Sequence, residues 1–132
     1  MALIEWNDTY SVGHAIIDRQ HKILVKIVNQ LNEALVDNNT EQLSEFFEEL
    51  LEYTIIHFDT EEKLMDKYDF NLNDEHKKEH KDLTDQVLSL QKQVNSGEKK
   101  IDHEVLDFLQ DWLLHHIMET DQKLGKFLEG RN

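Results

Sequence analysis

The sequence has no cysteine, no proline and only four glycines among its 132 residues. The lack of cysteine excludes disulfides, thiolate metal sites and a cysteine nucleophile. The lack of proline leaves no position at which a long helix must break. No apolar run is long enough to cross a bilayer, and the first residues lack the basic and apolar regions of a signal peptide. We therefore expect a cytoplasmic protein that does not span a membrane.

Basic side chains are also scarce, because 14 lysines and arginines stand against 28 aspartates and glutamates, giving a formal charge of −14. Such a surface disfavours nucleic acid and anionic membranes as partners. The apolar residues nevertheless recur in regular stripes, which is typical of a globular chain and not of a disordered one. The length suits one compact core, so residues 1–132 are expected to form a single domain.

Apolar side chains recur with helical periodicity in four stretches, and convincing strand-like alternation is absent from the sequence. The first stripe steps by four and three residues through Ile17, His21, Leu24, Val28, Leu31 and Leu35. Four helices joined by short polar connections predict an all-α fold, an antiparallel up-down-up-down four-helix bundle. The side chains expected to cap these helices are Asp18, Thr40, Asn71 or Asn73, and Asp102. The residues before the first helix are expected to form an N-terminal arm over one end of the bundle, through Trp6, Tyr10, Val12 and Ile16.

All four predicted stripes contain histidine where a bundle normally carries leucine. Glu61 follows one of these histidines by a helical turn, and the inward histidines are His21, His57, His76, His80 and His116. A single core histidine is more often a hydrogen-bonded structural residue than a ligand. Five that converge with a carboxylate are different, because a buried ionised carboxylate is costly unless a cation or hydrogen bonds compensate it. A metal centre would satisfy all of these groups together. The remaining histidines, His14, His103 and His115, are not expected to bind metal.

Five imidazoles exceed the needs of one tetrahedral zinc ion, whereas two ions that share carboxylate bridges fit the set better, and mixed nitrogen and oxygen ligation suits iron. Glu61 would be one bridge and Asp121 is the candidate for the other. On a regular helix, Asp121 lies about 140° around the axis from His116. It reaches the same site only if the helix is irregular there, for example through a π-bulge. Spacing alone leaves open whether Asp121 is a ligand or an ordinary surface acid.

Taken together, these residues resemble the hemerythrin family, and in particular its bacterial branch, the bacteriohemerythrins. The matching pattern covers nearly the whole chain and consists of His21, His57-x-x-x-Glu61, His76-x-x-x-His80 and His116-x-x-x-x-Asp121. Two short segments also resemble the bacterial branch, namely Ile17-Asp18-x-Gln20-His21 and His57-Phe58 followed by Glu61-Glu62. The resemblance favours Asp121 as a ligand.

The resemblance implies two iron ions with a bridging oxo or hydroxo group. One iron would be held by His76, His80 and His116, the other by His21 and His57, and Glu61 and Asp121 would bridge them. One coordination position would stay open on the two-histidine iron, where dioxygen would bind. The family's pocket-lining positions correspond to Trp112 and Leu113, and Leu24 is a further expected wall residue, although ordinary core packing explains all three in part.

The function expected from this resemblance is reversible dioxygen binding for storage, delivery or buffering of oxygen, by a monomer that is not an enzyme. One alternative is a di-iron redox or oxygen sensor, which would need a separate partner protein because the sequence has no room for an output domain. Another is a peroxidase-like or nitric-oxide-handling di-iron enzyme. Ferritin-like di-iron oxidases use about four carboxylates and two histidines, which is the opposite balance from this chain.

Overall fold

The computed structural model describes residues 4–129. Four helical segments follow one another in the order of the chain: α1 (Ala15–Val36), α2 (Thr40–Tyr68), α3 (Asn73–Asn95) and α4 (His103–His115). A π-helical turn (His116–Thr120) joins α4 to α5 (Asp121–Leu128), so these three pieces form one continuous fourth helix. Helix α1 packs against α2 and α4, and α2 packs against α3. The predicted all-α four-helix bundle is confirmed. Within the described residues, no helix is long and apolar enough to cross a membrane.

The helix starts show where the predicted caps were wrong. Asp102 caps α4 as expected and accepts a hydrogen bond from Val105 N at 3.0 Å. The cap of α2 is Asn39 and not Thr40, because the Asn39 carboxamide accepts from Gln42 N at 3.1 Å. Helix α3 begins at Asn73 without a side-chain cap. Any polar side chain near a helix start is a plausible cap in sequence, but only one with the right backbone geometry reaches the free N–H groups.

The remaining predicted cap, Asp18, does not cap α1 but binds the N-terminal arm. Helix α1 begins earlier, after His14, whose Nδ1 lies 3.5 Å from Ile17 N. The Asp18 carboxylate instead accepts from Ser11 Oγ at 2.6 Å and from Val12 N at 2.7 Å. Asp18 therefore ties the N-terminal arm to the first turn of α1.

The N-terminal arm runs along α1 and is not confined to one end of the bundle, because the Ile4 backbone pairs with the Asn29 carboxamide well inside α1. Val12 is buried in a small apolar cluster with residues of α1, α2 and α5, and Trp6 and Tyr10 pack against the main core. Ile16 is an exception to the prediction, because it is 52% exposed. The arm approaches the fourth helix closely at Gly125, where an added Cβ would collide with the Val12 carbonyl oxygen. Only glycine allows this approach.

Candidate metal centre

All six predicted seam ligands and Asp121 meet in the interior of the bundle. Each is at most 4% exposed. Helix α1 contributes His21, α2 contributes His57 and Glu61, α3 contributes His76 and His80, and the fourth helix contributes His116 and Asp121. In each of these helices a ligand-type side chain replaces an apolar one on the inward stripe, so the same periodicity that builds the core also builds the site.

The seven side chains form two overlapping groups of metal-ligating atoms. One group consists of His76, His80 and His116 with Glu61 and Asp121, and the other of His21 and His57 with the same two carboxylates. Within each group the candidate ligand atoms lie within 4.8 Å of one another. Two sites that share both carboxylates are therefore possible in this geometry, with Glu61 and Asp121 between them.

The π-helical turn brings Asp121 into the site. The Asp121 N–H donates to the His116 carbonyl, which is the i+5 to i hydrogen bond of a π-helix. The turn rotates Asp121 from the outer face to the inner one, and its side chain is fully buried. Asp121 Oδ1 lies 3.0 Å from His116 Nε2, and Asp121 Oδ2 lies 2.6 Å from His21 Nε2. The predicted irregularity between His116 and Asp121 is confirmed.

The ring orientation of His57 is set by a chain of hydrogen bonds from α1. The Thr60 hydroxyl donates to the Ile56 carbonyl, so it can only accept from Gln20, whose Nε2 lies 3.0 Å away. The Gln20 carbonyl oxygen must therefore face His57, and it accepts from His57 Nδ1 at 2.8 Å. A histidine that donates through Nδ1 presents a free lone pair at Nε2 when it is neutral. That lone pair points into the centre.

Two glutamates set the orientation of two further rings in the same way. Glu62 accepts from His80 Nδ1 at 3.1 Å, and Glu79 accepts from His116 Nδ1 at 2.9 Å. The Nε2 atoms of both rings then lie 2.9 Å and 3.2 Å from Glu61 Oε1. A lone pair that faces a carboxylate oxygen at this distance is repulsive unless a proton or a cation lies between them. The donor set therefore fits a cation held by Nε2 atoms and carboxylates.

The comparisons with known proteins agree with this site. A sequence model described as the Hemerythrin HHE cation binding domain matches residues 12–128. The chain belongs to the hemerythrin family. It is 30% identical over 129 residues to the bacteriohemerythrin of Methylococcus capsulatus, covering 97% of this chain and 98% of that protein. It is 33% identical to a bacteriohemerythrin of Pseudomonas aeruginosa, covering 92% of this chain and 78% of that protein.

Solved hemerythrin structures share the fold of this chain. The crystal structure of wild-type hemerythrin superposes with a TM-score of 0.90 at 29% identity and covers 95% of this chain and 97% of that one. A leucine-to-tyrosine mutant of hemerythrin gives a TM-score of 0.91 at 29% identity, with coverage of 96% and 97%. These relatives are named as bacteriohemerythrins and hemerythrins.

The predicted pocket residues lie in the core of this hemerythrin bundle. Leu24 and Leu113 are fully buried, and Trp112 is 7% exposed. The Trp112 ring lies 6.3 Å from the His116 ring, measured between centroids. Phe58 was not singled out as a site residue, yet its ring stacks on His80 at a centroid distance of 3.9 Å. Two aromatic rings therefore lie against histidines of the centre.

Sequence reasoning missed the residues that orient the ligand rings. Gln20, Glu62 and Glu79 are each half-buried and each lies next to a ligand in the sequence. Their position off the apolar stripe makes them look like ordinary surface side chains. Two signals were available. All three residues are adjacent to a ligand, and residues one step along a helix face the neighbouring helix instead of the bundle axis. Gln20 and Glu62 also lie in the segments that match the bacteriohemerythrins.

Three histidines lie outside the centre. His14 is buried at the start of α1, where it faces the N–H of Ile17. His103 is the first residue of α4. His115 points away from the bundle and pairs with Glu119 at 3.0 Å. None of the three belongs to the two groups of ligating atoms found among the described residues.

The charges within the centre shift the pKa values of its own groups. Burial lowers the pKa of His76, but hydrogen bonds with Asp121 and Glu61 and their negative charges outweigh it and raise the pKa to about 9. The pKa of His116 is raised well above its usual value because the charges of Asp121 and Glu61 overcome the effect of burial. Burial raises the pKa of Asp121, and the charge of His116 and hydrogen bonds from the imidazoles overcome it and hold that pKa well below its usual value. Without a metal, the protons on His76 and His116 provide the positive charge beside Glu61 and Asp121.

Metal binding should therefore displace protons from the centre, and the apparent affinity for Co²⁺ should rise with pH. His76 keeps its proton until the pH passes about 9, so a metal that binds below this pH must expel it. Each expelled proton gives about a tenfold rise in apparent affinity per pH unit. Competition with a chelator from about pH 7 to about pH 9 measures this slope. The exposed variant His115→Gln should leave it unchanged, whereas an affinity independent of pH would contradict the assignment of the ligands.

Proposed function

We propose that this hemerythrin-family chain binds dioxygen reversibly at a non-heme di-iron centre and serves in storage, delivery or buffering of oxygen. The observation that carries the proposal is the convergence of five imidazole Nε2 atoms on two shared, buried carboxylates. The proposal takes residues 1–132 as one hemerythrin-like domain that acts as a monomer in the cytoplasm, without a nucleic-acid or membrane partner.

In this proposal the ligand roles follow the two groups of atoms. His76, His80 and His116 would hold one iron, and His21 and His57 would hold the other, because each set forms one of the two groups. Glu61 and Asp121, which belong to both groups, would be the shared ligands, together with an oxo or hydroxo group. The fixed orientations of His57, His80 and His116 support these roles, because each presents Nε2 and not Nδ1 to the centre. Two iron ions held there would supply the electrons that reversible dioxygen binding needs.

The balance of ligands supports oxygen binding over oxygen activation. The centre has five neutral nitrogen ligands and two carboxylates, whereas di-iron oxidases of the ferritin-like bundles use about four carboxylates and two histidines. Carboxylates donate more charge to a metal than imidazoles do, so this centre stabilises high oxidation states less. In the proposal, Leu24, Trp112 and Leu113 form the apolar wall of the oxygen pocket and exclude water and protons from it.

An oxygen electrode tests the proposal directly. The iron-loaded, reduced protein should take up about one dioxygen per two irons and release it under reduced pressure through repeated cycles. The metal-free protein serves as the control and should take up none. Oxygen consumption that does not reverse would contradict the proposal and would favour a redox sensor or an enzyme.

A further inference from the structure

Three of the four ligand-bearing helices orient a histidine of the next helix in the chain. Gln20 of α1 accepts from His57 of α2 at 2.8 Å. Glu62 of α2 accepts from His80 of α3 at 3.1 Å, and Glu79 of α3 accepts from His116 at 2.9 Å. His21 of α1 has no comparable acceptor in the described part of the chain. His21 is fully buried, and its Nδ1 has no hydrogen-bond partner among residues 4–129.

These supporting groups divide unequally between the two candidate metal positions. Two of the three histidines in the first group, His80 and His116, donate to carboxylates. In the second group, His57 donates to a neutral carboxamide and His21 lacks an acceptor among the described residues. Both glutamates are held in place, because Glu62 and Glu79 are only 35% and 28% exposed, and Glu79 is also hydrogen-bonded to Thr120.

A carboxylate that accepts from the far nitrogen of an imidazole makes the near nitrogen a stronger donor to a metal. The effect comes from charge-assisted hydrogen bonding, which draws the Nδ1 proton toward the carboxylate and leaves more negative charge on the ring. A carboxamide carries no net charge and draws the proton less. The two positions therefore differ in donor strength as well as in the number of their histidines.

We propose that Glu62, Glu79 and Gln20 are positioning residues that make the two metal positions electronically unequal. The two carboxylates make His80 and His116 stronger donors. The three-histidine position therefore binds its metal more tightly and favours a higher metal charge. The carboxamide of Gln20 orients His57 without adding charge, so the two-histidine position holds its ion less tightly and is easier to reduce. The redox part of this inference rests on the proposed di-iron function.

Release of Co²⁺ tests the inference without iron. The cobalt-loaded chain, mixed with excess chelator, should lose its two ions in a fast and a slow phase, followed by the cobalt absorption. Glu62→Gln and Glu79→Gln keep the side-chain shape and should speed the slow phase by about tenfold, the lower end of the usual loss when such a partner is removed. They should leave the fast phase unchanged. Gln20→Glu should slow the fast phase and leave the slow phase unchanged.

The reduction potential of the iron-loaded chain provides the second measurement. Glu62→Gln and Glu79→Gln should raise it, and Gln20→Glu should lower it. A purely structural role would not produce shifts of opposite sign, because damage to packing has no reason to follow the charge. The matched control is Glu52→Gln, which removes an equal charge from an exposed position on α2 and should change neither release phase nor the potential. Circular dichroism should show the same helix content in all variants.

The outcomes separate this inference from the proposed function. Effects no larger than those of Glu52→Gln, effects spread over both release phases, or potential shifts of one sign would overturn the inference. An unmodified chain that binds two cobalt ions but no iron would instead overturn the proposed function. In that case the cobalt phases would still decide whether the carboxylates strengthen one position.

Discussion

Replacing Glu61 with glutamine should cost the chain both of its metal positions. Glu61 is fully buried, belongs to both groups of ligating atoms, and lies within 3.4 Å of the Nε2 atoms of His57, His76, His80 and His116. A carboxamide has the same shape but no charge and one acceptor oxygen instead of two. Loss of a supporting partner weakens metal binding by about 10–100-fold, so loss of this shared ligand should weaken it further.

Metal content after desalting measures this effect, with equilibrium dialysis against Fe²⁺ or Co²⁺ for the affinity. The control is again Glu52→Gln, which lies on the same helix and makes the same chemical change at an exposed position. The helix content of the Glu61→Gln variant must also be measured, because the imidazoles around position 61 lose their charge partner and the fold could be destabilised. A folded Glu61→Gln protein that keeps two tightly held ions would show that Glu61 is not a shared ligand.

Replacing Leu113 with alanine should destabilise the fold, and it should also affect the oxygen pocket. Leu113 is fully buried in the main core, one residue after Trp112. Truncation of a buried leucine costs about 2–5 kcal/mol through lost burial and the cavity that remains. If Leu113 also walls the oxygen pocket, the same cavity admits water and protons, so autoxidation should become faster.

Two measurements separate these effects. Denaturant unfolding of the metal-free protein reports the free energy of unfolding, and the decay of the oxygenated absorption reports autoxidation. Leu88→Ala is the matched control, because Leu88 is 45% exposed on α3 and its truncation should change neither. A loss of stability with an unchanged autoxidation rate would place Leu113 in the core but not in the pocket.

The fold and six of the seven side chains of the centre were predictable because one signal, the apolar stripe, describes both, whereas Asp121 came from the family resemblance. His21, His76 and His116 each interrupt an otherwise apolar stripe, and the stripe indicates which face of the helix points inward. Even the π-turn could be predicted. If His116 and Asp121 serve one site, their five-residue spacing is incompatible with a regular helix, and the structure has the required turn at His116–Thr120.

The helix caps and the supporting residues were not predictable to the same degree. Asp18 and Thr40 have the chemistry of caps, but whether a side chain caps a helix depends on the backbone just before it and on competing partners such as Val12 N. Glu62 and Glu79 resemble the many exposed acids of this chain. Their role arises only when a second helix brings a ring nitrogen to them, and no single-helix periodicity contains that information.

Reversible oxygen binding at a di-iron centre can be observed in the visible spectrum of the anaerobic, reduced, iron-loaded protein before and after air is admitted, with metal analysis of the same sample. We expect two irons per chain and an absorption band that appears in air and disappears when oxygen is removed. Two irons that oxidise at once without a reversible band would contradict oxygen carriage. A single zinc ion, or no bound metal, would contradict the di-iron centre itself.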